Sequence, residues 1–215
     1  MPNLLAFDTA TEACAVALLA NNHLYHYFEV VPQRHAELIL GKIESLLSDA
    51  KTPLHTINAI AFGRGPGSFM GVRIATSVAQ GLAFGIDCPV IPVSTLQILA
   101  QTAYQETKAT QIVVGWDARM GGIYWGVYEL SARGVMEPVM QDSLSNPNDI
   151  QLPAHGTWLV VGNVWKAYRV TLPGAARTDL YPQPAALMTL AQEKLRCKET
   201  QLPEEAEPIY LRQPV

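Results

Sequence analysis

The sequence predicts an α/β protein made of two related lobes, each with a mixed central sheet flanked by helices. The order strand, strand, strand, helix, strand, helix, strand, helix fills the first half of the chain and restarts at Ile112 in a shorter, less regular copy. An aspartate ends the first strand of each copy, Asp8 in one and Asp117 in the other. We expect an N-terminal lobe at residues 1–106 and a smaller C-terminal lobe at residues 107–215, whose last segment is free to pack back on the first lobe.

Each predicted element rests on a local pattern. Short apolar runs separated by polar turns predict strands, and apolar residues spaced three and four apart predict helices. The strands are predicted at Leu4–Asp8 and at residues 14–20, 24–31, 57–62, 90–92, 112–117, 122–129, 135–141 and 158–161. The helices are predicted at residues 33–50, 68–84, 94–104, 163–168 and 185–196.

This duplicated order is the pattern of the actin, hexokinase and heat-shock ATPase superfamily, in which two α/β lobes face each other across a cleft. That superfamily keeps phosphate-facing carboxylates where Asp8 and Asp117 are expected. The segment DTATE at residues 8–12 either orients a metal-bound phosphate or closes a turn through side-chain hydrogen bonds to the backbone. A fold does not by itself give a function, so both interpretations stay open.

The bulk composition narrows the functional classes. The 215 residues are 49% hydrophobic, enough for a substantial core, and the longest uninterrupted apolar run has eight residues, far short of the roughly 20 that cross a bilayer. The N-terminus lacks the basic region and cleavage site of a signal peptide, so we expect a cytoplasmic protein without a membrane partner. The net charge is −4 and the basic residues are scattered, so the chain should bind nucleic acid poorly by itself.

A glycine-rich turn between a strand and a helix, FGRGPGSFMG at residues 62–71, is the most informative segment. Its glycines allow positive φ and close backbone approach, and Ser68 is a plausible N-cap. The helix start after it can hold an anion, but no lysine follows Gly71, so it is not a Walker A loop. Anion binding and a tight structural turn both remain possible. The candidate residues for a nucleotide or anion are Asp8, Gly65, Gly67, Ser68 and Asp117.

Two helices carry more apolar surface than one core needs. The helix at residues 33–50 has a widened apolar face, and small residues recur every four positions in the next helix. Each surface has two interpretations, packing inside the chain or contact with a partner. The candidate interface residues are His35, Leu38, Ile39, Gly71, Ala75 and Ala79.

The sequence offers little catalytic chemistry. None of the five histidines, which include His155, forms an H-x-x-x-H or H-E-x-x-H pair, and no G-x-S-x-G elbow is present. The Asp and Glu residues suggest no paired general acid and base. We therefore expect no metal site, no catalytic residue and no cofactor requirement for the isolated chain.

Several segments together resemble the TsaB family, once called YeaZ, over essentially the full length. They are LLAFDTATEACAVAL, GRGPGSFMGVRIATSVAQGLAFG, PVIPVSTLQILA, DARMGGIYW and EPIYLR. The related TsaD proteins have a metal-binding histidine pair where this chain has Thr95 and Leu99. One departure from the family pattern is Met70, which replaces the usual threonine of GSFTGVR and puts anion binding at this loop in doubt.

The resemblance implies a division of labour in the threonylcarbamoyl modification of tRNA adenosine beside the anticodon. TsaC makes threonylcarbamoyl-AMP from threonine, bicarbonate and ATP, and TsaD transfers the group. A TsaB-type subunit would be a non-catalytic scaffold and activator of TsaD, would form homodimers through its N-terminal lobe, and would meet the ATPase TsaE and tRNA within the complex. ATP or ADP would enter only with that complex.

Two other interpretations stay open. The chain would be an active nucleotide-dependent enzyme of the same superfamily if ATP lies in the cleft between Asp8, the glycine turn and Asp117. The older family naming also suggests a peptidase.

Overall fold

The computed structural model describes residues 2–150, 156–168 and 175–212. The helices are α1 (His35–Asp49), α2 (Phe69–Ile86), α3 (Thr95–Thr107), α4 (Val164–Ala167) and α5 (Pro184–Arg196). The strands are β1 (Leu4–Asp8), β2 (Ala13–Ala20), β3 (His23–Val30), β4 (Ala59–Gly63), β5 (Val90–Val93), β6 (Gln111–Asp117), β7 (Ile123–Leu130), β8 (Met136–Ser145), β9 (Leu159–Val161) and β10 (Ala176–Arg177). The two-residue β10 was not predicted, because it is too short to show a period.

The two sheets repeat one topology. The first has the strand order β3-β2-β1-β4-β5 and the second, taken in the matching direction, β8-β7-β6-β9-β10. In each, the first three strands along the chain pair antiparallel, while the fourth pairs parallel to the first and the fifth parallel to the fourth. Asp8 and Asp117 end the corresponding strands β1 and β6. The predicted α/β fold with two mixed sheets flanked by helices is thereby confirmed.

Both faces of the first sheet are covered, which explains why every residue of β1 and β2 is buried. Successive side chains of a strand point to opposite faces. Leu5 and Phe7 join the cluster under α1 and α2, whereas Leu4 and Ala6 join a second cluster with α5. A strand whose side chains pack against apolar layers on both faces of the sheet shows a continuous apolar run instead of an alternation of apolar and polar residues.

Helices α3 and α5 each pack on the sheet that the other half of the chain forms. α3 follows the last strand of the first sheet but packs on β6, β7 and β8, whereas α5 packs on β1, β2 and β5. Ala186, Leu187 and Leu190 of α5 are at most 1% exposed against that sheet. The two halves therefore share their cores, and the division at residues 106 and 107 stays a prediction.

Helix α2 rests on the first sheet through its small residues. Ser68 caps its start by accepting from the Gly71 N–H at 3.4 Å, and it ends at Asp87, which has φ 53°. Ala75 and Ala79 are fully buried in the core, so the short side chains let the helix axis approach the sheet closely. Within the described residues, α2 is the one helix long and apolar enough to pass a membrane-span test on length and composition. Core helices of folded domains pass the same test.

Two glycines give a matched test of this packing. A Cβ at Gly71 would lie 2.0 Å from the carbonyl oxygen of Thr9, whereas one at Gly41, in the middle of α1, meets nothing within 4 Å. We expect Gly71→Ala to lower the free energy of unfolding by ~2–4 kcal/mol through overpacking. Gly41→Ala should raise it by ~0.5–1 kcal/mol through helix propensity. Urea titrations measure both, and equal effects would contradict the packing of α2.

Candidate functional site

The carboxylate of Asp8 is enclosed at the end of β1. The residue is 1% exposed, its Oδ1 accepts from the Ala10 N–H at 2.9 Å, and its Oδ2 accepts from Thr95 Oγ1 at 2.7 Å. A Cβ at Gly63 would lie 1.6 Å from Oδ2, so only glycine leaves room for this side chain. Burial raises the pKa of Asp8 to about 6 against the two hydrogen bonds, which lower it.

The glycine turn lies directly against the β1–β2 turn. A Cβ at Gly67 would stand 2.3 Å from the carbonyl oxygen of Ala10, and that oxygen accepts from the Ser68 N–H at 2.7 Å. Gly65 has φ +91°, the left-handed region that favours glycine. One of the free N–H groups at the start of α2 is therefore already used by the chain. This geometry favours the structural turn over the anion site, and a role of Gly65, Gly67 and Ser68 toward an anion stays a prediction.

Asp117 lies at the corresponding position of the second sheet and is less enclosed. Its Oδ1 accepts from the Arg119 N–H at 2.8 Å and from Tyr168 Oη at 2.9 Å. Arg119 also lies 3.3 Å from Asp117 Oδ2 and 3.4 Å from Glu12 Oε1, so it links the two halves. The arginine side chain is 75% exposed, and such an ion pair contributes about 0–1 kcal/mol. Asp117 is thus engaged by its own chain, as Asp8 is.

The C-terminal segment at residues 206–212 ties these parts together. It runs over α2 and the glycine turn and reaches the turn after β6. The hydrogen bonds join Gln80 Nε2 to the Ala206 carbonyl (2.9 Å), Arg73 Nε to Tyr210 Oη (2.8 Å), the Ile209 N–H to the Arg64 carbonyl (2.7 Å) and Arg212 Nη2 to the Arg119 carbonyl (3.0 Å). The guanidinium of Arg73 also stacks 3.8 Å from the centre of the Phe69 ring. The segment EPIYLR therefore fastens the first half to the second.

The predicted interface residues require a correction. Gly71, Ala75 and Ala79 face the sheet and are buried, so the small-residue edge of α2 packs inside the chain. His35 and Ile39 of α1 are also buried, with His35 Nε2 3.2 Å from the Ala13 carbonyl. Leu38 is half-buried against the same cluster. Five of the six residues are thus covered by this chain's own core and are not available to a partner.

The opposite face of α2 is the exposed one. Phe69, Met70 and Phe84 are 54%, 62% and 78% exposed, and Leu40 of the neighbouring α1 is 55% exposed. Gly81 and Gly85 on this face have nothing within 4 Å of a built Cβ. The sequence analysis missed this face because α2 is apolar on nearly every side, so hydropathy alone does not indicate which side meets the sheet.

No group of three or more His, Cys, Asp and Glu residues that could hold a metal is found in the described parts of the chain. Thr95 and Leu99, which stand where the TsaD proteins are expected to have histidines, are 2% and 1% exposed. The hydroxyl of Thr95 donates a hydrogen bond to Asp8. His155 lies outside the described residues.

A second polar cluster was also missed. Ser94 and Tyr128 both donate to Asp142, and Arg64 lines the same cavity between the two halves. Arg64 lies between Gly63 and Gly65 in the glycine turn, so its position in the sequence could have indicated a functional side chain. The partnership of Tyr128 with Asp142 has no sequence signal, because it depends on a register shift between β7 and β8.

Known proteins resemble this chain over nearly its whole length. The sequence model of the family described as "TsaD: tRNA N6-adenosine threonylcarbamoyltransferase" matches residues 27–214. The "tRNA threonylcarbamoyladenosine biosynthesis protein TsaB" of Escherichia coli (strain K12) is 39% identical over 97% of this chain and 94% of that protein. The protein of the same description from Haemophilus influenzae is 37% identical over 99% and 94%. The solved structure "YeaZ from Pseudomonas aeruginosa" superposes with a TM-score of 0.95 at 41% identity and covers 98% of this chain and 100% of that chain.

These likenesses agree with the motifs and with the duplicated sheet topology. They span both halves of the fold and the C-terminal segment. The chain therefore belongs to the TsaB family of tRNA threonylcarbamoyladenosine biosynthesis.

Proposed function

We propose that this chain is a non-catalytic partner that scaffolds and activates a TsaD-type transferase in the threonylcarbamoyl modification of tRNA adenosine. The observation that carries the proposal is that the outer face of α2 leaves apolar side chains exposed at the start and near the end of the helix. Phe69, Met70 and Phe84 on that face are each more than half exposed. Exposed apolar patches of this kind mark interaction surfaces.

The shape of this face suits a second helix. Gly81 and Gly85, on either side of Phe84 in the sequence, leave the helix backbone open, so a partner helix can approach closely there. Because the chain matches the TsaD family model over residues 27–214, a TsaD-type partner is expected to carry an equivalent lobe. Two equivalent lobes can pack α2 against α2 about an approximate two-fold axis. The docking surface proposed here is therefore the outer side of α2 with Leu40 of α1.

The same surface would serve a homodimer, so a second copy and the transferase compete for it. The TsaE-type ATPase and tRNA join only the assembled complex, in keeping with the net charge of −4 on this chain. ATP or ADP belongs to that complex and not to the isolated subunit. We assign the chain to the cytoplasm, where tRNA is modified, with no membrane partner.

The burial and the hydrogen bonds of Asp8 support the proposal that the chain is not catalytic. A carboxylate that acts on a metal-bound phosphate must be accessible to it, and Asp8 is only 1% exposed. Asp8 instead has Gly63 backbone against one oxygen and hydrogen bonds from Thr95 and Ala10. The alternative of an ATP-dependent enzyme with its nucleotide in the cleft requires this carboxylate to open, and the assays below test it.

Reconstitution tests the subunit role. We expect modified adenosine to form from the same organism's TsaC, TsaD and TsaE, tRNA, threonine, bicarbonate and Mg-ATP only when this chain is present. The chain alone should produce none. Liquid chromatography of the digested tRNA measures the product with each component omitted in turn. Undiminished modification without this chain would contradict the proposal, and turnover of ATP by the chain alone would favour the enzyme alternative.

Phe84→Asp tests the docking surface. A charge placed in an apolar interface must be desolvated when the partner binds, so we expect the affinity for the TsaD-type transferase to fall by about 10–100-fold. Because Phe84 is 78% exposed, the free energy of unfolding should stay within about 0.5 kcal/mol of the wild-type value.

The matched control is Val139→Asp, an apolar residue of β8 that is 53% exposed and lies in the other sheet. Analytical ultracentrifugation measures complex formation for both variants and homodimerisation at the same time. Equal loss in the two variants, or unchanged binding of Phe84→Asp, would rule out α2 as the docking surface.

Asp8→Asn tests whether the buried carboxylate is a structural group. The wild-type pKa is about 6 in the folded chain and near 3.8 unfolded, so the native state holds more protons between these values and stability falls as pH rises through this range. The loss is on the order of 3 kcal/mol by neutral pH. The asparagine variant lacks this slope and should support modification as the wild type does. Parallel pH slopes in urea unfolding would contradict the raised pKa of Asp8, and a variant that is folded but inactive would contradict a purely structural role.

A further inference from the structure

A cavity of about 510 Å³ lies between the two halves of the molecule. Its walls come from the end of β4 and the start of α3 on one side and from β7, β8 and α5 on the other. This volume is within the usual range of roughly 300–1,000 Å³ for small-molecule sites. It is separate from the outer face of α2, and nothing assigned to the TsaB role so far uses it.

One wall presents a fixed carboxylate. Tyr128 Oη donates to Asp142 Oδ1 and Ser94 Oγ donates to Asp142 Oδ2, and Tyr128 is 1% exposed. Gly126 makes room for the pair, since a Cβ there would stand 2.5 Å from Asp142 Oδ1 and 3.0 Å from Tyr128 Oη. The hydrogen bonds from Tyr128 and Ser94 fix the orientation of the Asp142 carboxylate, and Gly126 leaves the space that this arrangement needs. A carboxylate has about four acceptor positions, so Asp142 can accept further hydrogen bonds from the cavity.

The facing wall presents the side chain of Arg64, which makes no ion pair within the part of the chain that the structure describes. The backbone of Arg64 is fastened at both ends, its N–H donating to the Val93 carbonyl at 2.9 Å and its carbonyl accepting from the Ile209 N–H at 2.7 Å. Its side chain lines the cavity, and its Nε is buried without a hydrogen-bond partner among the described residues. A buried donor that is left without an acceptor opposes folding.

The other cations of the cavity wall are already paired. Arg133 contacts Glu137, Glu193 and Glu199, and Lys194 lies 2.9 Å from Glu199 Oε2. Arg64 differs from them in making no ion pair with any residue in the described parts of the chain. Arginine binds carboxylates through two parallel N–H donors, which a lysine ammonium does not match.

Arg64 and Asp142 come from different halves and influence each other without touching. No ion pair within 4.0 Å joins them in the described structure, yet the charge of Arg64 lowers the pKa of Asp142 against the larger raising effect of burial. Arg64 offers hydrogen-bond donors and Asp142 offers acceptors across the cavity. A ligand that carries an acceptor group at one end and a donor group at the other would match both. The wall carries three cations and four carboxylates, so a polyphosphate would meet net repulsion.

We propose that this cavity binds a small zwitterionic carboxylate of the size of a free amino acid, with its carboxylate on Arg64 and its ammonium group on Asp142. Such a ligand would pair its carboxylate with the Arg64 guanidinium and its ammonium group with the Asp142 carboxylate, both of which line the cavity. Because it bridges the two halves, it would also hold them in one relative position. The inference concerns a different surface from the docking of the transferase and stands independently of it.

The test is a titration of the full-length chain followed by NMR of the arginine Nε–H signals. Glycine, l-serine and l-glutamate serve as probes, with acetate, ethanolamine, inorganic phosphate and Mg-ATP as comparison compounds. We expect at least one amino acid to shift the Arg64 signal saturably, while ethanolamine, phosphate and Mg-ATP do not. Binding should weaken by at least about tenfold in Arg64→Gln and in Asp142→Asn, which is about 1.4 kcal/mol.

Arg34→Gln, which changes an exposed arginine paired with Glu37, is the matched control and should bind as the wild type does. Asp142→Asn removes a carboxylate that two hydroxyls contact and is checked for folding by thermal denaturation. Arg64→Gln removes a group with an unsatisfied donor and should fold normally, so it keeps the test decisive. The proposal is overturned if no amino acid binds saturably, if phosphate or Mg-ATP binds as tightly as the amino acids, or if Arg64→Gln binds as the wild type does.

Discussion

The close approach of three glycines to the β1–β2 turn is the contact on which the first lobe depends. Gly63, Gly67 and Gly71 are spaced four residues apart and lie against Asp8, Ala10 and Thr9, where a Cβ would stand 1.6–2.3 Å from an oxygen atom. No side chain can be accommodated at these distances. The contact fixes where α2 begins and which of its sides faces the sheet, so the large apolar residues are left on the outside.

The repeated topology does not make the two halves independent. α3 and α5 each pack on the sheet of the other half, and the C-terminal segment joins α2 to the turn after β6. Residues distant in sequence therefore line common spaces. The cavity between Arg64 and Asp142 exists because of this exchange, since each half contributes one wall.

The buried polar groups of the molecule fall into two kinds. Asp8 is surrounded by donors of its own chain, as buried carboxylates in stable proteins generally are. The Nε of Arg64 is buried and has no such partner among the residues that the structure describes. An unsatisfied buried donor opposes folding, so its presence beside a cavity is more informative than the presence of a satisfied one.

The sequence by itself determined the order of the elements, the α/β class, the duplicated sheets and the family, because periodicity and short motifs are local and survive without knowledge of distant contacts. Only the tertiary structure decided which edge of α2 is buried. Gly71, Ala75 and Ala79 form one apolar edge and Phe69 and Phe84 belong to another, and hydropathy favours neither. The choice follows from backbone distance, because the sheet lies too close for any but the small side chains. The pairing of Tyr128 with Asp142 likewise depends on strand register, which the amino-acid pattern of β7 and β8 does not specify.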